Sequence, residues 1–225
     1  MRARILWKFG TDIRRRLFGA LWLAALCFHA TLGFSQVTIF SDNFEGSFPD
    51  SGGWAAGDDD PFGTTAYWNT VDAAFGGEGA HGGSRKAYCS GTGFGGTIAN
   101  PTYQSDMTAF MSHPINLGGF SGASLTFWFK LPSLEECCER PRVLIDNTLV
   151  WTTNAPVSAW TQVTLNLNSF VGGWRTLRFE FVSDASVEFE GWYVDDVLVT
   201  GIPGMGPPND AFNNAYSING AAGST

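Results

Sequence analysis

Two short segments constrain this chain more than any other feature. In Thr161-Gln162-Val163-Thr164-Leu165-Asn166-Leu167 and in Thr176-Leu177-Arg178-Phe179-Glu180-Phe181, apolar and polar residues alternate one for one. Successive side chains of a strand point to opposite faces, so alternation of this kind predicts strands with one buried face. Val163, Leu165 and Leu167 then face inward, as do Leu177, Phe179 and Phe181. Ser124–Lys130 and Trp192–Thr200 read as further strands. Arg142 to Thr153 reads as two strands around Asp146-Asn147, a residue pair suited to a tight hairpin turn. No window of a dozen residues carries a helical apolar stripe with caps. Strands about a dozen residues apart, joined by Gly, Asn, Asp and Ser turns, predict an all-β, antiparallel jelly-roll sandwich.

The first half, Val37 to Pro101, is looser. Its aromatic residues lie among glycines and acids, as expected of long loops pinned to a sandwich by buried rings. The whole chain has 28 Gly and 19 Phe in 225 residues, a strand-and-turn composition with enough apolar content for a core.

The first 35 residues are different in kind. They carry six of the 13 Lys and Arg residues (Arg2, Arg4, Lys8, Arg14, Arg15 and Arg16) and one acid, Asp12. An apolar run from Leu17 to Phe34 follows. A basic front, an apolar middle and small residues at the exit form a secretory signal with cleavage after Ser35. The alternatives are an uncleaved anchor, for which the run is short, and twin-arginine export, which Arg15-Arg16-Leu17-Phe18 matches in part. Residues 36–201 are then the sandwich, 202–208 a Pro- and Gly-rich linker, and 209–225 the start of a further β module. Without the leader the chain is strongly acidic, which excludes nucleic acid and anionic lipid as partners and favours divalent cations.

Export also governs the cysteines. Cys89, Cys137 and Cys138 remain after the leader, and an oxidising compartment favours a bridge from Cys89 to Cys137 or Cys138. A vicinal Cys137–Cys138 bridge is the strained alternative. The motifs of catalysis fail one by one. HExxH and GxSxG are absent, His81 and His113 lack a nucleophile context, and Gly91-x-Gly93-x-x-Gly96 lacks the strand–turn–helix that a dinucleotide needs.

Asp195 and Asp196 are adjacent in a strand, so both reach solvent only where the strand ends or bulges. Buried, a carboxylate needs a partner. In a jelly roll the first strand can pair beside the last, which would bring Asp42 and Glu45 to them and assemble an all-oxygen Ca²⁺ site. Asp58-Asp59-Asp60 lacks calcium-loop spacing and reads as a solvated loop.

A resemblance adds to this. Asp42-Asn43-Phe44-Glu45-Gly46, Trp54 and Tyr67-Trp68-Asn69 form its start. Phe179-Glu180-Phe181-Val182-Ser183-Asp184 and Gly191-Trp192-Tyr193-Val194-Asp195-Asp196-Val197 form its end. Together they resemble the jelly-roll accessory module of secreted bacterial immune-inhibitor-A-type metallopeptidases. They are also similar to MAM adhesion domains and to calcium-bearing carbohydrate-binding jelly rolls. Pro207-Pro208-Asn209-Asp210-Ala211-Phe212-Asn213-Asn214-Ala215 resembles the first strand of a pre-peptidase C-terminal-type module. The resemblance implies Ca²⁺ on Glu45 and Asp196, and a non-catalytic module working beside other domains of a longer chain.

The expected function is that of a secreted or cell-surface binding and adhesion module, calcium-stabilised, with a glycan or an extracellular protein as partner. The alternatives are a structural spacer and a glycoside-active sandwich enzyme. Trp54, Trp68 and Tyr67 lead the candidate sugar platforms, with Trp151, Trp160 and Trp174 behind them. Burial in the core is the competing role for each.

Overall fold

A computed structural model of the chain describes residues 35–60, 67–91 and 95–204. The expected leader (residues 1–35) up to residue 34, and the linker and tail from residue 205 on, lie outside the described residues, so the readings made of them stay expectations; Ile202 and Pro203, expected in the linker, instead belong to the last strand. Among the described residues, no helix is long and apolar enough to cross a membrane.

The elements are strands joined by loops and two one-turn 3₁₀ segments. In chain order they are β1 Val37–Asp42, β2 Ala55–Asp58, β3 Asn69–Asp72, β4 Arg85–Tyr88, β5 Gly95–Thr97, β6 Asn100–Thr102 and β7 Thr108–Asn116. They continue with β8 Phe120–Ser133, β9 Arg140–Ile145, β10 Thr148–Thr152, β11 Val157–Asn166, β12 Trp174–Val182 and β13 Gly191–Pro203. One sheet, here the front sheet, runs β11-β8-β13-β4-β3, with β1 also paired to β13; the back sheet runs β10-β9-β12-β7-β2. Every pairing is antiparallel. This is the expected all-β jelly-roll sandwich with long loops rich in Gly and aromatic residues.

The alternating segments behave as their pattern demands. Leu177, Phe179 and Phe181 of β12 are all at 0% exposure, while Arg178 beside them is not buried. Asp146 and Asn147 both take positive φ, 48° and 66°, which closes the β9–β10 hairpin in two residues. The two sheets meet through aromatic rings. Phe127 of β8 sits edge-on to Phe179 of β12 at 5.2 Å, and Trp192 of β13 lies 5.9 Å from Phe179. Strand β7, an inner strand of the back sheet, has a weaker signal. Ala109, Met111 and Ile115 alternate inward, but His113-Pro114 interrupts the pattern. His113 is a packing residue, stacked on Phe40 at 3.9 Å, and burial pushes its imidazole below the ordinary range.

Two sequence expectations are corrected here. Trp54 and Trp68 are core residues, at 5% and 1% exposure, so neither offers a face to a sugar. Trp54 donates to Asp42 Oδ2 at 2.7 Å, and Trp68 to the Ala109 carbonyl at 3.1 Å. Tyr67 is exposed. The cysteine pairing also differs. Cys137 and Cys138 bridge each other on an exposed turn, and Cys89 is a free thiol at 0% exposure. The physical reason is local. Adjacent cysteines are held within reach of each other whatever the rest of the chain does, whereas Cys89 follows β4 into the core. There its sulfur accepts the Trp192 N–H, and Gly191 and Tyr103 pack against its surroundings.

Burial holds the Cys89 thiol far above the range in which thiolate forms. A thiol reagent at pH 8 should therefore label no cysteine in the native protein and one per chain, among residues 36–225, after denaturation. Prompt labelling of the native protein, located by peptide mapping to Cys89, contradicts this packing.

Candidate binding face and the carboxylate-held loop beside it

Strand β13 changes partners midway. On one edge it pairs with β4 at Tyr193 and Val194 and with β1 from Val197 to Gly201; on the other, its register against β8 shifts between Asp195 and Leu198. Asp195 and Asp196 occupy the change-over, and Asp196 has φ 47°. This is the bulge that adjacent carboxylates on a regular strand require. Asp195 is paired opposite Trp128 and shares its outward face.

The acids at this bulge hold the loop from His81 to Arg85. Asp195 is at 0% exposure; its Oδ2 accepts the N–H groups of His81 at 2.9 Å and Gly82 at 3.2 Å, and its Oδ1 accepts that of Asp196. Burial, with repulsion from Asp196, pushes the Asp195 carboxyl up to about 6 against the pull of those N–H groups. Asp196 Oδ2 lies 2.6 Å from His81 Nδ1. Glu45 grips the far side of the loop. Its Oε1 accepts the Ser84 and Arg85 N–H groups, each at 2.8 Å, and its Oε2 the Ser84 hydroxyl at 2.7 Å. The Ser84 hydroxyl and these N–H groups draw its carboxyl below the ordinary range.

The two glycines between them leave room for the carboxylates, and Gly83 also takes a positive φ of 61°. A Cβ at Gly82 would lie 2.9 Å from Asp196 Oδ2, and one at Gly83 would lie 2.4 Å from Glu45 Oε1. Asp42 does different work. Its oxygens accept the Phe44 N–H and the Trp54 indole N–H, pinning the segment after β1 to the core. Of the four acids expected to share a metal, Glu45, Asp195 and Asp196 thus converge on one loop, while Asp42 turns to Trp54. Asp58 and Asp59 are not free in solvent: Asp58 accepts the Asp60 and Thr108 N–H groups, and Asp59 pairs with Arg178.

The loop flanks a groove on the outer face of the front sheet. The His81 ring stacks on Trp128 at 3.7 Å, with Trp160 edge-on at 6.1 Å. The groove, of about 470 Å³, is lined by Trp128 and Thr126 of β8, Gln162 of β11, Ser41 to Asn43, and Asp196 to Leu198. A second hollow of about 390 Å³ includes Ser124, Thr164, Asn166 and Asn168. Register explains this polar row. Gln162 is opposite Trp128, Thr164 opposite Thr126, and Asn166 opposite Ser124, so all six share one face. Trp128 was missed as a site residue because it sits between Phe127 and Phe129 in an almost wholly apolar run. The same alternation that buries those two places Trp128 outside.

No protein-family model matches the sequence, and no curated protein does. Solved structures do. The fold is similar to the K1 cleaved adhesin domain of Lys-gingipain from Porphyromonas gingivalis W83, with TM-score 0.51 and 18% identity over 73% of this chain and 97% of that one. The K2 cleaved adhesin domain of Lys-gingipain follows at TM-score 0.47 and 14% identity, covering 73% of this chain and 99% of that one. TmCBM61, solved with β-1,4-galactotriose, follows at 0.45 and 12%, covering 68% and 90%. At such identities, the first of these establishes a shared sandwich fold.

The buried carboxylate makes a pH prediction. Asp195 holds its proton more tightly folded, near pH 6, than unfolded, near pH 3.8. Its contribution to stability is therefore most favourable below pH 3.8 and is lost as pH rises to about 6, a change of about 2–3 kcal/mol. The Asp195→Asn variant should lose this component, so its melting temperature changes less between pH 4 and 6.5 than that of the parent. Parallel curves for the two proteins contradict the assignment.

Proposed function

We propose that the chain is a secreted, non-catalytic binding module of a larger extracellular protein, and that it docks a glycan in the groove on the outer face of its front sheet. The observation that carries this reading is the composition of that face. One indole, Trp128, stands among an amide, hydroxyls and a carboxylate supplied by Gln162, Thr126, Thr164, Ser124 and Asp196. A sugar presents the complementary surface, with apolar C–H patches for an aromatic ring and hydroxyls for fixed donors and acceptors.

The enzyme alternative would need two carboxylates working on substrate. The groove does contain Asp42 and Asp196. Both Asp42 oxygens accept hydrogen bonds that pin its own segment, and Asp196 contacts the His81 ring. These partners favour positioning over proton transfer.

Glycan and matrix-protein arrays run with Ca²⁺ test the reading. Binding to one glycan class is expected, with at least tenfold weaker binding for Trp128→Ala and for Gln162→Ala. Trp174→Ala, on the back sheet and exposed, should bind as the parent does. Silence across the array favours the spacer reading instead, and release of reducing ends favours the enzyme.

Calcium belongs to the same proposal. Glu45 and Asp196 offer oxygen donors on either side of the Gly82-Gly83 turn, in a space that a Cβ would fill. That donor type suits Ca²⁺. Asp42 and Asp195 fit less well, since Asp42 is turned to the Trp54 indole and Asp195 is at 0% exposure. A bound ion would tie the segment after β1 to β13 and stabilise only the folded form, by about 2.7 kcal/mol at a hundredfold excess over Kd. Chelation should lower the melting temperature, and the lowering should shrink in Asp196→Asn. Melting that ignores chelator removes calcium from the proposal.

A further inference from the structure

A different group of acids lies where the β8–β9 and β12–β13 connections meet. Glu135 and Glu139 belong to the first connection and Asp184 to the second. One carboxylate oxygen from each lies within 4.8 Å of the other two. Three carboxylates so close repel one another, and among the described residues none of the three has an ion-pair partner. The adjacent guanidinium, Arg140, donates to the main-chain carbonyls of Glu136, Cys137 and Glu139.

The decisive side chain is Glu139. It is at 0% exposure; its Oε1 makes no hydrogen bond of full geometry, and the Tyr103 hydroxyl beside the carboxylate is shared with another acceptor. The neighbouring Tyr103 hydroxyl donates to the Val187 carbonyl at 3.3 Å. Oε2 of Glu139 accepts the Glu135 N–H, which folds the connection back on itself. Glu135 Oε2 is also enclosed and without a partner. Burial pushes the Glu139 carboxyl up against the pull of the Tyr103 hydroxyl and the Glu135 N–H, and the Glu135 and Asp184 charges add to the rise. A proton would neutralise one of three charges and leave the other oxygens unserved. A divalent cation would neutralise two and give the unpartnered oxygens a ligand.

The donors select the ion. Cys137 and Cys138 also lie beside Glu135, but their sulfurs are bonded to each other, so thiolate for a soft metal is absent. What remains is an all-oxygen, triply charged set. Ca²⁺ holds oxygens at about 2.3–2.6 Å, so two oxygens on opposite sides of one ion stand up to about 5 Å apart. The spacing here falls inside that limit. We propose that Glu135, Glu139 and Asp184 form a Ca²⁺ site that clamps the β8–β9 connection to the β12–β13 connection, independently of Glu45 and Asp196.

Calorimetric titration of the full chain, stripped with chelator and dialysed, tests this with CaCl₂ as the probe and bound calcium counted by elemental analysis. The parent should show a binding event that Asp184→Asn weakens at least tenfold and that Glu45→Gln and Asp196→Asn leave unchanged. Glu139→Gln should remove the same event. Because Glu139 is buried and that variant can fail for want of folding, Asp184→Asn and Glu135→Gln, at partly exposed positions, decide the matter. If both give the parent's isotherm and calcium content, the site is refuted. An event lost only in Asp196→Asn refutes it as well, while supporting the other calcium assignment.

Discussion

The arrangement depends on one buried carboxylate. Asp195 lies where β13 passes from β4 to β1, the point at which that edge of the strand has no neighbour for two successive residues. A gap of that kind leaves main-chain N–H groups of the crossing loop without partners, and unpaired buried N–H groups are costly. Asp195 meets two of them, from His81 and Gly82, together with the N–H of Asp196 on its own strand. Once the loop is tied there, His81 falls on Trp128, and Glu45 takes the N–H groups of Ser84 and Arg85. The loop beside the front sheet's groove is thus held by the way its most heavily paired strand solves a backbone problem.

The cost of that solution is spread over several groups. A carboxylate at 0% exposure is held by dipoles without a buried cation, and its proton affinity rises accordingly. Lys86 shows the opposite case nearby. It too is at 0% exposure, and it donates to the carbonyls of Asp72, Ala73 and Phe75, with burial lowering its ammonium to about 8. In both places a lone buried charge organises a turn through the main chain.

Much of this was legible in the residues, and the failures have physical causes. Strands with one buried face announce themselves by alternation, so β11 and β12 are plain, and Asp146-Asn147 marks its hairpin because both residues tolerate positive φ. Strand β7 was hidden by His113-Pro114. The convergence of Glu45, Asp195 and Asp196 followed from pairing the first strand with the last. Which indoles are buried did not follow. Trp54 and Trp68 lie among glycines and polar residues yet are buried, Trp128 lies in an apolar run, and the register across β8, β11 and β13 sends Trp128 outward. The cysteine pairing was misread because compartment and residue count say nothing of distance, whereas adjacency along the chain does.

The vicinal disulfide has a thermodynamic meaning of its own. A cross-link stabilises a fold mainly by shortening the loops available to the denatured chain, and the gain grows with the number of residues enclosed. Cys137 and Cys138 are separated by one position, so their bond encloses almost no chain. Cys89, the one cysteine of the described core, is tied to nothing. Among the described residues no long cross-link therefore supports the sandwich, and its folding equilibrium is nearly indifferent to the redox potential of its surroundings.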